Sequence, residues 1–415
     1  MNQFKIYMEQ APGFVQKDKQ LLVCLLLKSL YGLHQAPRDW NSMLHEFLTS
    51  IGFKRNEKDY GLYMKTVGGV NGIPIDVVFI TLYVDDMTIL GEDEHVEPVE
   101  KALMKKFDIT SMGELKYLLG IEIHYEPEKY LFFSQKKFVN GIIEKFGNKN
   151  MHAVTTPQVT GDEPTGAKDQ NDLIKCAYPY RQLIGALQYV VSGTRLELAY
   201  TVRTLAKYTN CYTTQHWSMA IRVLRYLVGT INFGLTYNLK EAMSYESLQL
   251  DGWSDSDWGT DKIDRKSITG YVTMLNGQTI CAKSLKQDII ASSTCEAELI
   301  AASTGSRDIV FMEQLLDEMN LQHLPSTLHM DNEGAATLCK HPSSHKRSKH
   351  YEIRHLICRQ YVEERGMNIQ VVKSNDNVSD LFTKPLPEAK FIKFREAIHI
   401  KDFYKVQEEL DDKMK

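Results

Sequence analysis

An almost wholly apolar, β-branched run from Val77 to Val84 ends at two adjacent aspartates, Asp85 and Asp86, and the apolar pattern resumes at 88–90. Such a run indicates a strand buried on both faces. The pattern predicts a β-hairpin with two carboxylates at its tip. Neighbouring carboxylates repel each other and resist desolvation. A divalent cation makes such a pair favourable, and Mg²⁺ suits a site that also holds phosphates.

A second acidic set is dispersed over the last third of the chain, where strand-like and helix-like segments alternate from about residue 246. Asp255 would end the first strand, Glu298 would lie on a helix, and Asp331 would follow a strand at 326–330. Asp380 would open a final short helix. The alternation indicates an α/β or α+β domain. Its other expected elements are strands at 271–275 and 368–373 and helices at 295–320 and 348–364.

A two-metal nuclease requires carboxylates of this kind. Two cations about 4 Å apart activate a water and stabilise the leaving oxygen, and acidic side chains hold both. Three of the four acids also have a structural alternative: Asp255 as a turn residue, Asp380 as a helix N-terminal carboxylate, and Glu298 on a solvated helix face. The hairpin pair has its own alternative, an exposed acidic turn. Sequence spacing does not show that the dispersed acids meet.

Composition limits the class of protein. The chain has 415 residues, enough for two or three domains, and 43% apolar with 25% charged residues is typical of folded chains. A formal net charge of −4 gives no overall basic signal for nucleic acid. Seven widely spaced cysteines without a CxxC pair favour reduced thiols. Without a membrane span or signal peptide, the sequence predicts a soluble intracellular protein, cytoplasmic or nuclear.

The middle of the chain predicts helices and a linker. Phe138, Ile142 and Phe146 recur at helical spacing within a predicted helix at 133–146, and residues 178–230 show several such apolar faces. Between them, Gln158–Asp172 is polar and contains Gly, Pro, Asp and Asn. This stretch is therefore the best linker candidate.

Ordered motifs along the chain resemble those of copia-type retrotransposon polymerases. Those similar to reverse transcriptase landmarks are YMEQAPGF from Tyr7, YGLHQAPRDW at 31–40, LYVDDMTILG at 82–91 and GELKYLLGIEI at 113–123; Tyr180–Gly185 and VLRYLVGT at 223–230 match the thumb and connection. Those resembling the ribonuclease H landmarks, in order, are SDSDW, DRKSITGY, SSTCEAELIA, MDNEGA, KHYEIRH and LFTKPL. The resemblance extends from about residue 7 to 390, and the chain is identified as a member of the copia-type Pol polyprotein family.

The resemblance implies an α+β multidomain fold. Its expected parts are a truncated reverse transcriptase palm with the start of the thumb at 1–150, a linker and helical thumb or connection at 151–245, a ribonuclease H-like α/β domain with a mixed sheet at 246–390, and a carboxy-terminal tail at 391–415. The polymerase of the family resembles others in using a third aspartate upstream of the YMxQPxGF element. Because the chain begins past that point, we expect an amino-terminally truncated polymerase without activity.

The resemblance also implies the site residues and the reaction. It assigns Asp85 and Asp86 to the polymerase metal site. Asp257 rivals Asp255, since residues two apart on a strand share a face; Glu296 is disfavoured against Glu298, since residues two apart on a helix point to different sides. The implied activity is that of a ribonuclease H-type endonuclease on RNA–DNA hybrids, with a template–primer as the polymerase partner, Mg²⁺ (or Mn²⁺) as cofactor and no membrane. The implied nuclease ligands are Asp255, Glu298, Asp331 and Asp380.

A second departure from the family lies in a loop, and two rival interpretations of the function stay open. The loop Val372–Asn377 lacks the histidine that many ribonucleases H have before the last aspartate, which we interpret as a subfamily difference. A catalytically inert relic or a domesticated nucleic-acid-binding protein is the alternative to an enzyme. An active polymerase would need the missing segment on another chain. Nothing in the sequence indicates the oligomeric state.

A basic, histidine-containing segment follows the third nuclease acid. Lys340–Gln360 has six Lys or Arg residues against the single acid Glu352, a bias that fits contacts to nucleic-acid phosphates or a solvated helix face. The lysines 136, 137 and 145 have the same ambiguity. A zinc site is the weaker alternative, because the spacing fits no common structural zinc pattern. Its candidate ligands are His341, His345, His350, His355 and Cys358.

Overall fold

The structure, a computed structural model, describes residues 5–19, 21–30, 32–68, 76–148, 151–162, 164, 178–340 and 353–412. The chain divides into two compact units, Met1–Gly113 and Glu114–Lys415. Helices and sheets are present in both, so the multidomain α+β class predicted from the sequence is confirmed. The division lies at Gly113, whereas the sequence placed its first boundary at residue 150.

The first unit is built on a four-stranded antiparallel meander, in the order β3-β4-β5-β6. Val78 and Ile80, two apart on β5, are buried on one face with Leu44 and Leu48 of α1, which lie one turn apart. Tyr83 pairs with Asp86, so the predicted acidic hairpin is confirmed. The elements are β1 (Tyr7–Met8), β2 (Cys24–Leu25), α1 (Ala36–Ser50), β3 (Lys54–Arg55), β4 (Leu62–Val67), β5 (Asp76–Tyr83), β6 (Asp86–Leu90) and α2 (Asp93–Lys106).

The second unit contains two five-stranded sheets and ten described helices. Its strands are β7 (Tyr117–Leu118), β8 (Ile121–Glu126), β9 (Tyr130–Ser134), β10 (Phe233–Asn238), β11 (Leu250–Asp257), β12 (Ile268–Leu275), β13 (Gln278–Lys286), β14 (Thr327–Met330), β15 (Asn368–Val371) and β16 (Ile400–Asp402). Its helices are α3 (Lys136–Phe146), α4 (Tyr180–Gly193), α5 (Ala199–Ala206), α6 (Thr214–Gly229), α7 (Leu239–Ala242), α8 (Thr294–Glu318), α9 (Glu333–Lys340), α10 (Ile357–Arg365), α11 (Glu388–Ala397) and α12 (Phe403–Asp412). Short 3₁₀ helices lie at Leu196–Leu198, Ile353–Leu356, Ser374–Asp376 and Val378–Phe382.

One sheet is wholly antiparallel, in the order β16-β10-β9-β8-β7. The predicted helix at 133–146 is wrong at its start, because Phe133 and Ser134 belong to β9 and α3 begins at Lys136. Burial alternates along Tyr130–Ser134, which is strand periodicity. Residues assigned above to a tail contribute β16, which pairs with β10.

The other sheet is mixed, in the order β13-β12-β11-β14-β15. β11, β12 and β13 are antiparallel neighbours, whereas β14 runs parallel to both β11 and β15. This is the mixed sheet predicted for 246–390, with the strand order of the ribonuclease H-like fold. A side chain at Gly252 would lie 2.4 Å from Cδ1 of Ile309, so the glycine lets α8 approach β11 closely.

The two faces of the mixed sheet belong to different cores. Leu328 and Met330 of β14 pack with Ile309 of α8 in one core. Val272 and Met274 of β12 join the larger core, in which helices α4, α5 and α6 pack together with α11. The helices predicted at 178–230 are confirmed, and they share a core with the sheet.

Candidate metal centre

Three of the predicted nuclease acids come together at one edge of the mixed sheet. Asp255 lies near the end of β11, and Asp331 directly follows β14. Because the two strands are parallel neighbours, their carboxyl ends meet at the same edge. Glu298 lies in the first turns of α8. One carboxylate oxygen from each of the three lies within 4.8 Å of the others, which is close enough for a shared cation.

The start of α8 orients Glu298. Ser293 caps the helix by accepting a hydrogen bond from the Glu296 backbone N–H at 3.1 Å. The Glu296 carboxylate is used in the same cap, since it accepts bonds at 2.6 Å from both the backbone N–H and the hydroxyl of Ser292. Glu298 instead accepts at 3.2 Å from the backbone N–H of Ser256 through Oε1. Its Oε2 is buried and has no hydrogen-bond partner within the part of the chain that the structure describes.

A glycine on β12 lets the fourth acid approach. Gly270 pairs in register with Asp255. A side chain at Gly270 would lie 2.7 Å from Cγ2 of Thr383 and 2.8 Å from the carbonyl oxygen of Ser379. The turn Val378–Phe382 therefore packs directly on the strand. The Thr383 hydroxyl then donates to Oδ2 of Asp255 at 2.5 Å.

Asp380 lies beside this group and is bound to lysines. It is 1% exposed. The Lys384 ammonium lies 2.6 Å from Oδ1 of Asp380 and 3.5 Å from Oδ2 of Asp255. The Lys390 ammonium lies 2.5 Å from Oδ2 of Asp380. The structure thus gathers three acids directly and joins the fourth to Asp255 through an ammonium group.

Asp257, the rival of Asp255, is outside the group of three that the described residues form. The sequence interpretation missed Ser374, Thr383, Lys384 and Lys390. The Ser374 hydroxyl donates to Asp331 from the loop that lacks a histidine. Thr383 and Lys384 belong to the LFTKPL motif, so the sequence marked their positions. It did not show the direction of their side chains.

Burial dominates the electrostatics of the group. It raises the pKa of Asp255; the Lys384 ammonium lowers that pKa, and the Asp380 carboxylate raises it. Burial, followed by the charges of Asp255 and Asp331, raises the pKa of Glu298 well above its usual range. Burial lowers the pKa of Lys384, but the carboxylates of Asp255 and Asp380 outweigh it and leave the pKa raised. Such a cluster of oxygen ligands is suited to a divalent cation.

The hairpin acids have a different setting. Asp85 and Asp86 are exposed at the tip of β5 and β6. Val84 has a φ of +59°, which is strained for a β-branched residue, and Trp40 Nε1–H donates to its carbonyl oxygen at 3.0 Å. Within the described ranges, no third acid, histidine or cysteine forms a metal-sized group with this pair.

Only part of the basic segment lies within the described residues. His341, His345 and His350 lie outside the described residues, so the zinc alternative is not tested on them. His355 and Cys358 are buried. The Arg359 guanidinium donates to the carbonyl oxygen of Leu338 at 3.0 and 2.8 Å, so this basic residue stabilises the fold.

Comparison with known proteins agrees with the motifs. The family described as reverse transcriptase (RNA-dependent DNA polymerase) matches residues 2–160. Over 95% of the chain, the Pol polyprotein from transposon TNT 1-94 of Nicotiana tabacum is 31% identical, and that from transposon RE2 of Arabidopsis thaliana is 33% identical. The chain belongs to the copia-type Pol polyprotein family. It spans 29% and 26% of the length of these two copia-type relatives.

A solved ribonuclease H1 is similar to part of this copia-type chain. The LC11 ribonuclease H1, isolated from compost, is 17% identical with a TM-score of 0.26, and covers 32% of this chain and 92% of its own. Because this score is low, the ribonuclease H-like fold is assigned from the strand order of the mixed sheet. None of the helices within the described residues is long and apolar enough to cross a membrane.

Proposed function

We propose that residues 246–390 of this copia-type chain form a ribonuclease H that hydrolyses the RNA strand of RNA–DNA hybrids with Mg²⁺, leaving 3′-hydroxyl and 5′-phosphate ends. The observation that carries the proposal is the group of Asp255, Glu298 and Asp331, with oxygens within 4.8 Å of one another. The buried Oε2 of Glu298, which has no hydrogen-bond partner among the described residues, supports it, because such an oxygen is costly unless a cation binds it.

The residues around the group have distinct roles in this proposal. Asp255, Glu298 and Asp331 would hold the metal, and Asp380 would complete the set. Thr383 fixes the carboxylate of Asp255 by its hydrogen bond. Bound Mg²⁺ supplies activation of water and stabilisation of the leaving oxygen. Because water is the attacking group, no side chain of the protein needs to act as a nucleophile.

The substrate is proposed from the family and from general physics. An RNA–DNA hybrid is held mainly through its phosphates, so exposed cations contribute affinity without base specificity. Lys137 and Lys145 are exposed on α3 of the same unit and are candidates for such contacts. Removal of either would weaken binding and reduce its dependence on salt.

The test uses the purified chain with Mg²⁺ and a hybrid labelled on the RNA strand, beside double-stranded DNA and an Asp331→Asn control. We expect RNA cleavage with 5′-phosphate ends in the unmutated protein alone, and no cleavage of the DNA duplex. A folded sample that leaves the hybrid intact would contradict the proposal and favour the inert relic or a nucleic-acid-binding protein.

We further propose that the 415-residue chain does not extend a primer. The exposed Asp85 and Asp86 have no third acidic partner among the described residues, and in-line phosphoryl transfer requires both metals to be positioned. Primer extension by this chain, abolished by Asp85→Asn, would contradict this. The domains that we propose for the chain are those that the motifs imply, namely a palm, a connection and a ribonuclease H domain.

The state of the cysteine thiols indicates the cellular compartment. All those described are free thiols, and Cys339 and Cys358 are buried. Free thiols fit a reducing environment. We therefore propose that the protein works in the cytoplasm or the nucleus.

A further inference from the structure

The buried carboxylates of the candidate metal centre already have a cation beside them. The Lys384 ammonium lies between two acids, at 2.6 Å from Asp380 and 3.5 Å from Asp255. Asp380 and Asp255 are 1% and 2% exposed, so water screens their charges poorly. A buried carboxylate without a counter-charge is strongly disfavoured. In this structure, Lys384 therefore supplies the counter-charge that a divalent cation would supply on the same side of Asp255.

The centre has two sides that share Asp255. On one side, the oxygens of Glu298 and Asp331 complete a group of three with that of Asp255, all within 4.8 Å of one another. On the other side, Asp380 faces Asp255 across Lys384. When ionised, the four acids carry four negative charges, and Lys384 and Lys390 supply two positive charges, which leaves a net of two negative charges. One divalent cation balances that remainder.

Resting on the proposed ribonuclease H function, we propose that Lys384 occupies the cation position between Asp255 and Asp380 in the metal-free protein. A first divalent cation enters on the side of Glu298 and Asp331. A second enters only by displacing the Lys384 ammonium. Lys384 is thus a positioning residue that sets the occupancy of the second metal position.

The surroundings of Lys384 permit this displacement. Its side chain is 37% exposed, so the ammonium can move into solvent without unpacking the core. Lys390 cannot substitute for it, because the described contacts of its ammonium are with Asp380 and the carbonyl oxygen of Ser374, not with Asp255. After displacement, Lys390 keeps one counter-charge on Asp380.

The test is a titration of the full chain with Mn²⁺, in which free Mn²⁺ is counted by electron paramagnetic resonance. We expect a tight and a weak binding event in the unmutated protein. In Lys384→Met, the weak event should tighten about tenfold or more, because a competing charge a few ångströms away is gone, while the tight event changes little. The matched control is Lys393→Met, since Lys393 pairs with the exposed Asp376 outside the centre.

A second measurement uses only the unmutated protein. Acylation of lysine amines, followed by mass spectrometry, should find Lys384 protected in EDTA and reactive in Mn²⁺, with Lys393 unchanged. This result does not depend on whether the variant folds in the absence of metal. Failure of Lys384 to gain reactivity while two Mn²⁺ ions bind would overturn the proposal.

The outcomes separate this proposal from the proposed function. Equal tightening of both events in Lys384→Met would indicate a general charge effect and would overturn the proposal, as would no change in either event. If hybrid cleavage by the unmutated protein is intact in either case, the nuclease proposal stands. If the protein neither binds Mn²⁺ nor cleaves the hybrid, both proposals fail together.

Discussion

The two acidic centres of the chain differ both in the sequence and in the structure. Asp85 and Asp86 are adjacent and exposed at a hairpin tip, with strain at Val84. Asp255 and Glu298 are 43 positions apart and buried, at 2% and 7% exposure. The adjacent pair is thus exposed, whereas the fold of the second unit buries acids that are far apart in the sequence.

The difference has an energetic consequence. Exposed carboxylates cost little, because water solvates and screens them. Buried carboxylates raise one another's pKa and destabilise the metal-free fold. A buried acidic cluster therefore indicates a function more strongly than an exposed pair does.

The largest expected effect on stability comes from removing a buried charge in the second unit. Arg195 is 1% exposed and pairs with buried Glu197 at 2.7 Å, and its guanidinium also donates to the Thr230 hydroxyl at 2.7 Å. Arg195→Met leaves Glu197 buried without its cation. The free energy of unfolding should fall by about 3–5 kcal/mol in urea titrations.

Two controls sharpen that result. Arg195→Met combined with Glu197→Leu removes both charges and should recover much of the stability. Lys101→Met, which removes the exposed ion pair with Glu97 in the first unit, should leave the urea midpoint unchanged. A large effect of Lys101→Met would break the comparison between the units.

The next effect is a pH dependence confined to the second unit. His216 is fully buried, and its Nδ1 accepts from the backbone N–H of Thr213 at 2.9 Å. Burial lowers the pKa of His216 from 6.5 to about 4. As the pH falls, His216 therefore binds a proton in the unfolded chain before it does so in the folded protein. The stability contributed by neutral His216 is complete above pH 6.5 and is lost as the pH falls toward 4.

The loss should approach about 3 kcal/mol and is measured by urea unfolding at successive pH values. His216→Gln keeps an acceptor at the third helical position and should remove this part of the pH dependence. An equal slope in the variant and the unmutated protein would contradict the assignment to His216.

A smaller effect tests how the centre is assembled. Gly270→Ala places a methyl group 2.7–2.8 Å from Thr383 and Ser379 and should push the turn that carries Asp380 away from β12. We expect a stability loss of about 1–3 kcal/mol and weaker Mn²⁺ binding. The control is Gly185→Ala on α4, where a side chain meets no atom of the described residues within 4 Å. Retention of full Mn²⁺ affinity in Gly270→Ala would contradict this role.

The smallest expected effect lies at the hairpin. Replacing Asp85 and Asp86 by asparagine removes two exposed charges, so the free energy of unfolding should change by less than about 0.5 kcal/mol. Thermal unfolding in EDTA and in Mn²⁺ measures it. A stability change as large as that of Arg195→Met would show that the pair is not the exposed centre described above.

Sequence reasoning reached the elements that carry a strong periodic signal. The apolar run ending at Asp85, four of the five strands of the mixed sheet and the helices of 178–230 follow from local patterns; β13 was not predicted. It failed at Phe133, because an aromatic run before a helix has no feature that separates strand from first turn. It also missed Lys384, since a lysine in a motif does not reveal that its ammonium lies between two buried acids.

The most direct test of the central claim compares the two centres in one assay. Initial rates of hybrid cleavage in Mg²⁺ are measured for the unmutated chain, for Glu298→Gln and for the double variant Asp85→Asn/Asp86→Asn. We expect Glu298→Gln to lose about a thousandfold or more, because the metal loses a ligand, and the double variant to retain its rate. Loss of cleavage in the double variant with retention in Glu298→Gln would contradict the claim that the buried cluster is the nuclease centre.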